Sequence, residues 1–491
     1  MVPVVGVERE SMDLVAEPLE ESTEGSASWW RRIEWTRWAP YLLALGFGIV
    51  YATVSITRVH RNASMSWDTA IFMQAVDGFA HLGAPIVDVK SPGYNLLGLH
   101  FSPALAVFGP FYRLFPGPNT LMVGQALLVA ISVAVIARVA IRHLGAASGI
   151  AIAVAYGLSW GIQSGVNFDF HEVCLAMPLL ALAGAAYLNR DWGQVALWSA
   201  PLLLVKEDMG LTIAAIGASL VVCGARRWGV GMILGGLIGF ALSVFVFIPM
   251  ANAGGSSEFW AHYGSGDGAT GVVERVFSLP EQLVSPGVKI ETLLMLLAIT
   301  GLLALRSPFV LAAVPTICWR FLSDNPSYWG TDWHYSMTLM PILFVALIDG
   351  VRRAREDKWT WLRAYATHAP AIVVAVGLVF CLQSPFRDLV RSETYESSPR
   401  AAAAEHVMDL IPDGASVETD LGMLTWLAAG HTVYWLGSDN RAVTPDYVLV
   451  DGWAWGPEPP DAAEQAMTLH PGATYETVFQ HDGYDLARRV E

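Results

Sequence analysis

Apolar runs of roughly 15–23 residues, long enough to cross about 30 Å of hydrocarbon, recur from Tyr41 to Cys381. No other feature of the sequence limits its fold as severely. Candidate spans are 39–58, 119–141, 145–165, 172–189, 192–205, 208–223, 228–250, 289–305, 307–322, 335–350 and 363–383. The segments 192–205 and 208–223 are short for a crossing and read as broken or tilted. Hydrophobic residues make up 54% of the chain and charged residues only 15%, against about 25% charged in a soluble domain. The fold class expected is therefore an α-helical polytopic membrane protein of about 11 transmembrane helices.

The formal net charge of −15 is unevenly placed. Residues 1–28 and 384–491 together carry −18, which leaves the apolar part at about +3. The acidity belongs to a tail and a terminal domain, which argues against nucleic acid as a partner. Residues 1–38 read as a disordered acidic cytoplasmic tail ending in a basic juxtamembrane segment with Arg31, Arg32 and Arg37. No cleavable signal peptide is apparent. The first apolar stretch, starting near Ala39, lacks a small-residue cleavage site and reads as a retained helix. Cys174, Cys223, Cys318 and Cys381 lie in or beside apolar segments, with no spacing that suggests a metal knuckle or a disulfide framework.

Lys and Arg set the expected orientation. With Trp29–Trp38 in the cytoplasm, the other inside loops hold Arg138, Arg142, Arg190, Arg226, Arg227, Arg306 and the cluster from Arg352 to Arg363. The stretch Phe101–Phe115 is apolar enough for a twelfth span. Counting it would invert every later loop and put Arg352, Arg353 and Arg355 outside. With Pro103 and Pro110 inside it, a juxtamembrane or re-entrant helix is expected there. Residues 39–383 then form the bundle, 59–118 its first long extracytoplasmic loop, and 384–491 an extracytoplasmic C-terminal domain. A helix at Ala401–Leu410 and short apolar strands at Ala415–Thr419, Thr432–Leu436 and Tyr447–Val450 predict a small α/β domain.

Ionisable residues at membrane depth are costly, yet here they recur at the outer ends of separate helices. Asp68 follows Ser66, a plausible N-cap, and Ile71, Phe72, Ala75, Phe79 and Leu82 then form the stripe of an amphipathic helix on the membrane surface. Asp68 suits either a catalytic base at the mouth of the bundle or a charge on the helix dipole. His100 precedes Phe101-Ser102-Pro103, as a pocket residue or a helix-start residue at the interface. Asp169, His171 and Glu172 fall within four residues. In a helix Asp169 and Glu172 share a face, which suits a metal or a sugar or phosphate ligand, and equally a solvated cap. Lys206-Glu207-Asp208 sits almost without spacer between apolar segments, as a phosphate partner or an internal ion-pair cluster. His334-Tyr335, beside Trp329 and Trp333, is a pocket edge or part of an aromatic belt. No P-loop, HExxH motif or nucleophile elbow is present, which disfavours ATP-driven and serine-hydrolase mechanisms.

Five segments together carry a resemblance: Asp68-Thr69-Ala70-Ile71-Phe72-Met73-Gln74-Ala75, His100-Phe101-Ser102-Pro103 with Pro110–Pro116, Asp169-Phe170-His171, Lys206-Glu207-Asp208 and His334-Tyr335. In order and spacing, over roughly 39–383, they resemble a bacterial and archaeal family of predicted membrane proteins catalogued as a domain of unknown function. That family is in turn similar in layout to GT-C-type glycosyltransferases, which use polyprenyl-phosphate sugars. The resemblance implies a GT-C-like fold and sugar transfer on the extracytoplasmic face to a cell-envelope acceptor. It places Asp68 at the catalytic-base position, Asp169 and His171 near the lipid phosphate or a metal, and Lys206 on phosphate. His100, Glu207, Asp208, His334 and Tyr335 become further substrate-binding residues. Trp67-Asp68 stands where many relatives have two adjacent acids, which leaves open whether a divalent cation is used, with Asp169, His171 and Glu172 as candidate ligands. Two other classes fit the same charges: a transporter or flippase for a polar or lipid-linked solute, and a cell-envelope assembly protein without catalysis.

Overall fold

The computed structural model describes residues 35–61, 63, 67–252, 254–255, 281–456 and 458–490, besides Met1. The expected acidic tail, the Ser66 cap and most of the Gly-rich loop 251–288 lie outside the described residues. Six helices among them are long and apolar enough to cross a membrane: Thr36–His60, Pro118–Leu144, Ala146–Phe168, Arg226–Ala251, His334–Arg355 and Thr360–Cys381. Three shorter apolar helices, Glu172–Leu188, Met209–Val222 and Pro308–Leu322, lie between them. The expected figure of about 11 is reached only if the interrupted segments 192–204 and 287–306 are counted as crossings too.

Helix α1 (Trp35–His60) leads to the short α2 (Trp67–Ala80). Residues 101–115 form a 3-10 turn, Pro103–Phe108, and the six-residue α3, Gly109–Leu114, too short to cross. Helix α4 (Pro118–Leu144) opens with proline at its first position, where a missing N–H costs nothing, and ends at Gly145 with φ 85°. Helices α5 (Ala146–Gly157) and α6 (Trp160–Phe168) are one crossing broken at Leu158 and Ser159. Helix α7 (Ala176–Leu188) follows a 3-10 turn at Glu172–Leu175.

The helix Leu339–Arg355 is the axis of the bundle, with every residue from Leu339 to Val351 buried. At its arginine-rich end Asp349 is buried and accepts from Ser307 Oγ (2.8 Å), Arg352 Nη2 (3.1 Å) and Arg353 Nε (2.7 Å). Lipid is as apolar as leucine, so helices in a bilayer associate by close packing of small residues. A Cβ on Gly236 would lie 2.4 Å from the Gly210 carbonyl oxygen, and one on Gly210 2.7 Å from that of Gly236. The backbones of Met209–Val222 and Arg226–Leu242 therefore touch there. Gly161 and Gly165 on α6 likewise admit Ser336, Met337 and Met340 to within 2.8–3.3 Å of a built Cβ, which brings His334 beside the end of α6.

The C-terminal unit holds five strands: β1 (Ser416–Thr419), β2 (Thr432–Trp435), β3 (Tyr447–Asp451), β4 (Tyr475–His481) and β5 (Tyr484–Arg489). The sheet order is β2-β1-β3-β5-β4, with β1 parallel to β2 and β3 and the remaining pairs antiparallel. This unit closes over α2. The helix Leu421–Leu427 packs against α2, Gln74 Nε2 donates to the Val433 carbonyl (3.0 Å), and the Trp67 and Trp435 rings lie 4.7 Å apart. The helix expected after Ser66 is present, but its place on the membrane surface is corrected. Ile71, Phe72 and Ala75 are buried between protein layers, and Leu82 is 93% exposed beyond the helix end.

Candidate functional site

The charged residues of the domain-bearing end are gathered by one irregular segment. After α6 the backbone turns extended, with φ −173° and ψ −168° at Asp169 and φ −140° and ψ 141° at His171. Extended residues alternate sides. Phe170 therefore turns away into an aromatic cluster, 5.5 Å from Phe72 and 5.3 Å from Phe108. This geometry corrects the expectation that Asp169 and Glu172 share a helix face. Gln125 of α4 holds the segment at both ends: its Nε2 donates to the Asp169 carbonyl (3.1 Å) and its Oε1 accepts from His171 N (3.2 Å). Thr69 Oγ1 accepts from Phe170 N (3.2 Å), which ties the segment to α2 one residue past Asp68.

A line of paired charges results. Asp68 Oδ2 faces His171 Nε2 at 3.5 Å, His171 Nδ1 meets Glu172 Oε2 at 3.0 Å, and Glu172 Oε1 meets Lys206 Nζ at 2.8 Å. The Asp68 side chain is 31% exposed, while those of His171 and Glu172 are 7% and 1% exposed. A second set adjoins it. His100 Nδ1 meets Glu207 Oε1 at 2.8 Å, Phe101 N donates to Glu207 Oε2 (3.1 Å), and Trp319 Nε1 donates to Asp208 Oδ2 (3.2 Å). His334 stacks on His171 with ring centroids 3.4 Å apart, and Phe168 lies 5.7 Å from both rings.

Burial pushes the His171 imidazole down, but the Asp68 carboxylate, then Glu172, override it and raise the group to about 9. The two carboxylates thus favour the protonated ring. Burial also opposes charge on Lys206, yet Glu172, Asp208 and Glu207 hold its ammonium well above the ordinary range. Burial and the neighbouring Glu207 raise Asp208 to about 6 against the pull of Lys206, whereas His100 keeps Glu207 below the usual carboxylate range despite its burial. Adjacent carboxylates thus titrate apart: burial dominates at Asp208, whereas a direct hydrogen bond from His100 outweighs it at Glu207.

Asp68, His171, Glu172, Lys206, Glu207, Asp208, His100 and His334 therefore come together, as the sequence pattern suggested, while the Asp169 carboxylate lies in electrostatic reach of Arg58. Tyr335 turns to a neighbouring aromatic group, 4.8 Å from Tyr328 and 6.0 Å from Trp319. Gln125, Trp319 and Arg320 were not singled out in the sequence. Arg320 is fully buried and donates to the carbonyls of Tyr328 (2.8 Å) and Gly330 (2.7 Å) and to Ser336 Oγ (3.0 Å). It thereby pins the loop that delivers His334. Its signal was a lone Arg inside the apolar run 307–322. As to a divalent cation, no group of three suitable side chains converges among the described residues. Glu172 is instead taken up by Lys206 and His171.

Residues 60–486 match the family described as "Predicted membrane protein (DUF2079)". Among solved structures, ArnT from Cupriavidus metallidurans in the apo state is similar at 13% identity and a TM-score of 0.50, over 90% of this chain and 98% of that one. ArnT from the same organism bound to undecaprenyl phosphate matches at 14% identity and a TM-score of 0.48, over 91% and 97%. ArnT is a GT-C-type glycosyltransferase, and the first likeness shows a shared fold. No curated protein matches the sequence.

Proposed function

The chain belongs to the family of predicted membrane proteins numbered DUF2079, and we propose that it is a membrane glycosyltransferase. In this reading it moves a sugar from a polyprenyl-phosphate donor to a cell-envelope acceptor, with the domain-bearing end extracytoplasmic. The single observation that carries the proposal is the line Asp68–His171–Glu172–Lys206, running from a partly exposed carboxylate to a buried ammonium. Arg138, Arg142, Arg352 and Arg353 at the other end of the bundle support the orientation.

Transfer at an anomeric carbon needs a base for the acceptor hydroxyl and positive potential where the phosphate leaves. Asp68 is the proposed base, since it is the member of the line that a substrate reaches. The acceptor oxygen bonds to the anomeric carbon as its proton passes to Asp68. The bond from that carbon to the phosphate oxygen breaks, and its electron pair departs with the phosphate. His171, charged and wedged between two carboxylates, positions Asp68 and adds positive potential. Lys206 neutralises Glu172 behind it, so that the charge on His171 is not cancelled by both carboxylates. His100, Glu207, Asp208 and His334 shape the pocket around them.

The test is a transfer assay on purified protein with polyprenyl-phosphate-linked radiolabelled mannose, glucose and arabinose in turn, and bacterial membranes as acceptor source. Wild type moves label to an acceptor and folded Asp68→Asn does not. Transfer retained in Asp68→Asn would remove Asp68 from the base position. No transfer from any donor by folded wild type would count against the enzyme reading.

A further inference from the structure

A second polar feature opens at the domain-bearing end, beside the charged line and outside it. It is a cavity of about 610 Å³ between the end of α1 and the segment after the helix Thr360–Cys381. Pockets of 300–1,000 Å³ are the usual size for small ligands. Its polar walls include Thr57, Arg58, Arg61, Asn167, Asp388 and Arg391.

Three arginines line it, together with Asp388 and Glu393. Arg58 donates from Nη2 to the Ala63 carbonyl (3.2 Å) and lies in electrostatic reach of Asp169 and Asp388. The Nε of Arg61 is buried and, among the described residues, has no hydrogen-bond partner. A buried donor of this kind is costly unless something binds it. Arg391 pairs with Asp388 at 3.2 Å, but both side chains are about half exposed, so a ligand can displace that pair. Planar guanidinium forks match the oxygens of a phosphate two at a time.

Position adds to the chemistry. The apolar helix Thr36–His60 ends at this cavity, and Leu42, Leu45 and Ile49 along it are exposed. The cavity therefore sits where a bilayer presents its head groups. Asn167 in its wall adjoins Phe168, which stacks beside His171 and His334. Lys206, by contrast, is held by Glu172 at 2.8 Å and is not a free cation for phosphate.

We propose that this cavity seats the phosphoryl group of the lipid-linked substrate, with Arg58 and Arg61 as its main cations. The inference rests on the glycosyltransferase reading for the identity of that substrate, but binding tests it without any transfer. The probes are an unglycosylated polyprenyl monophosphate, a neutral polyprenol and inorganic phosphate, added to the detergent-purified full chain, with affinity read by native mass spectrometry. One to two charge-assisted hydrogen bonds lost corresponds to roughly a 10–100-fold weaker dissociation constant.

Polyprenyl phosphate should bind and polyprenol should not, and Arg58→Gln/Arg61→Gln should weaken binding by that factor. Arg391→Gln, at an exposed position that does not threaten folding, should weaken it several-fold, and Arg441→Gln, in an exposed pair that does not line the cavity, should bind as wild type. Polyprenyl phosphate bound equally well by the folded Arg58→Gln/Arg61→Gln variant would overturn the assignment. Binding of inorganic phosphate alone would overturn the lipid source. Arginine-dependent binding without transfer activity would uphold the site while the glycosyltransferase reading fails.

Discussion

Replacing Lys206 with methionine keeps the length of the side chain and removes its charge. The Lys206 and Glu172 side chains are 11% and 1% exposed, with 2.8 Å between Nζ and Oε1. At an effective dielectric near 20, that separation corresponds to about 6 kcal/mol of attraction, most of it offset by the desolvation of both ions. Removing one partner leaves the other buried and uncompensated, which costs about 3–5 kcal/mol. Glu172 still has His171 Nδ1 at 3.0 Å, so the lower end of that range applies. Lys206→Met and Glu172→Gln should each cost about 3 kcal/mol, and the double variant clearly less than their sum. Denaturation of the detergent-solubilised protein followed by tryptophan fluorescence measures this. Arg441→Gln serves as control, because its pair with Asp439 is 77% and 64% exposed and should change little. Single variants no less stable than Arg441→Gln, or a double variant with the full sum, would refute a buried, coupled pair.

His171 supplies a pH dependence. Its imidazole is raised from 6.5 to about 9, so the stabilisation is fully present below 6.5 and lost as pH rises through about 9. The wild type should lose about 3 kcal/mol relative to His171→Gln between pH 6 and pH 10, read from paired denaturation curves. Arg320→Met strips donors from two carbonyls and a hydroxyl at about 1–3 kcal/mol per unsatisfied buried group, and should alter the fluorescence of Trp329 and Trp333 on the loosened loop. Gly236→Val places a Cβ 2.4 Å from the Gly210 carbonyl oxygen, and should cost at least the ~1–3 kcal/mol of an overpacked core. Monodisperse yield after extraction reports it, and a normal yield would contradict the close approach of those two helices.

The amino-acid order alone determined that this chain is a membrane bundle and which residues stand out in it. Helices in lipid follow from unbroken apolar length, a local property. Asp68, His171, Lys206 and His334 were conspicuous because each is an ionisable group at the rim of such a run. The parallel strands β1, β2 and β3 were also readable, since they are short apolar stretches between turns. Edge strand β4 was not, because its residues are mostly exposed and carry little alternation. Partnership was decided only by tertiary structure. His334 stacks on a ring 163 positions earlier because Gly161 and Gly165 let two segments meet. Asp169 and Glu172 look like helix neighbours in sequence, yet Gln125, on another helix, draws the backbone between them straight. Asp208 and Glu207 are chemically alike and adjacent, and they titrate apart because His100 bonds Glu207 while burial beside Glu207 dominates at Asp208. These outcomes depend on side chains far apart in the chain, and such distances are set by packing rather than by any local pattern.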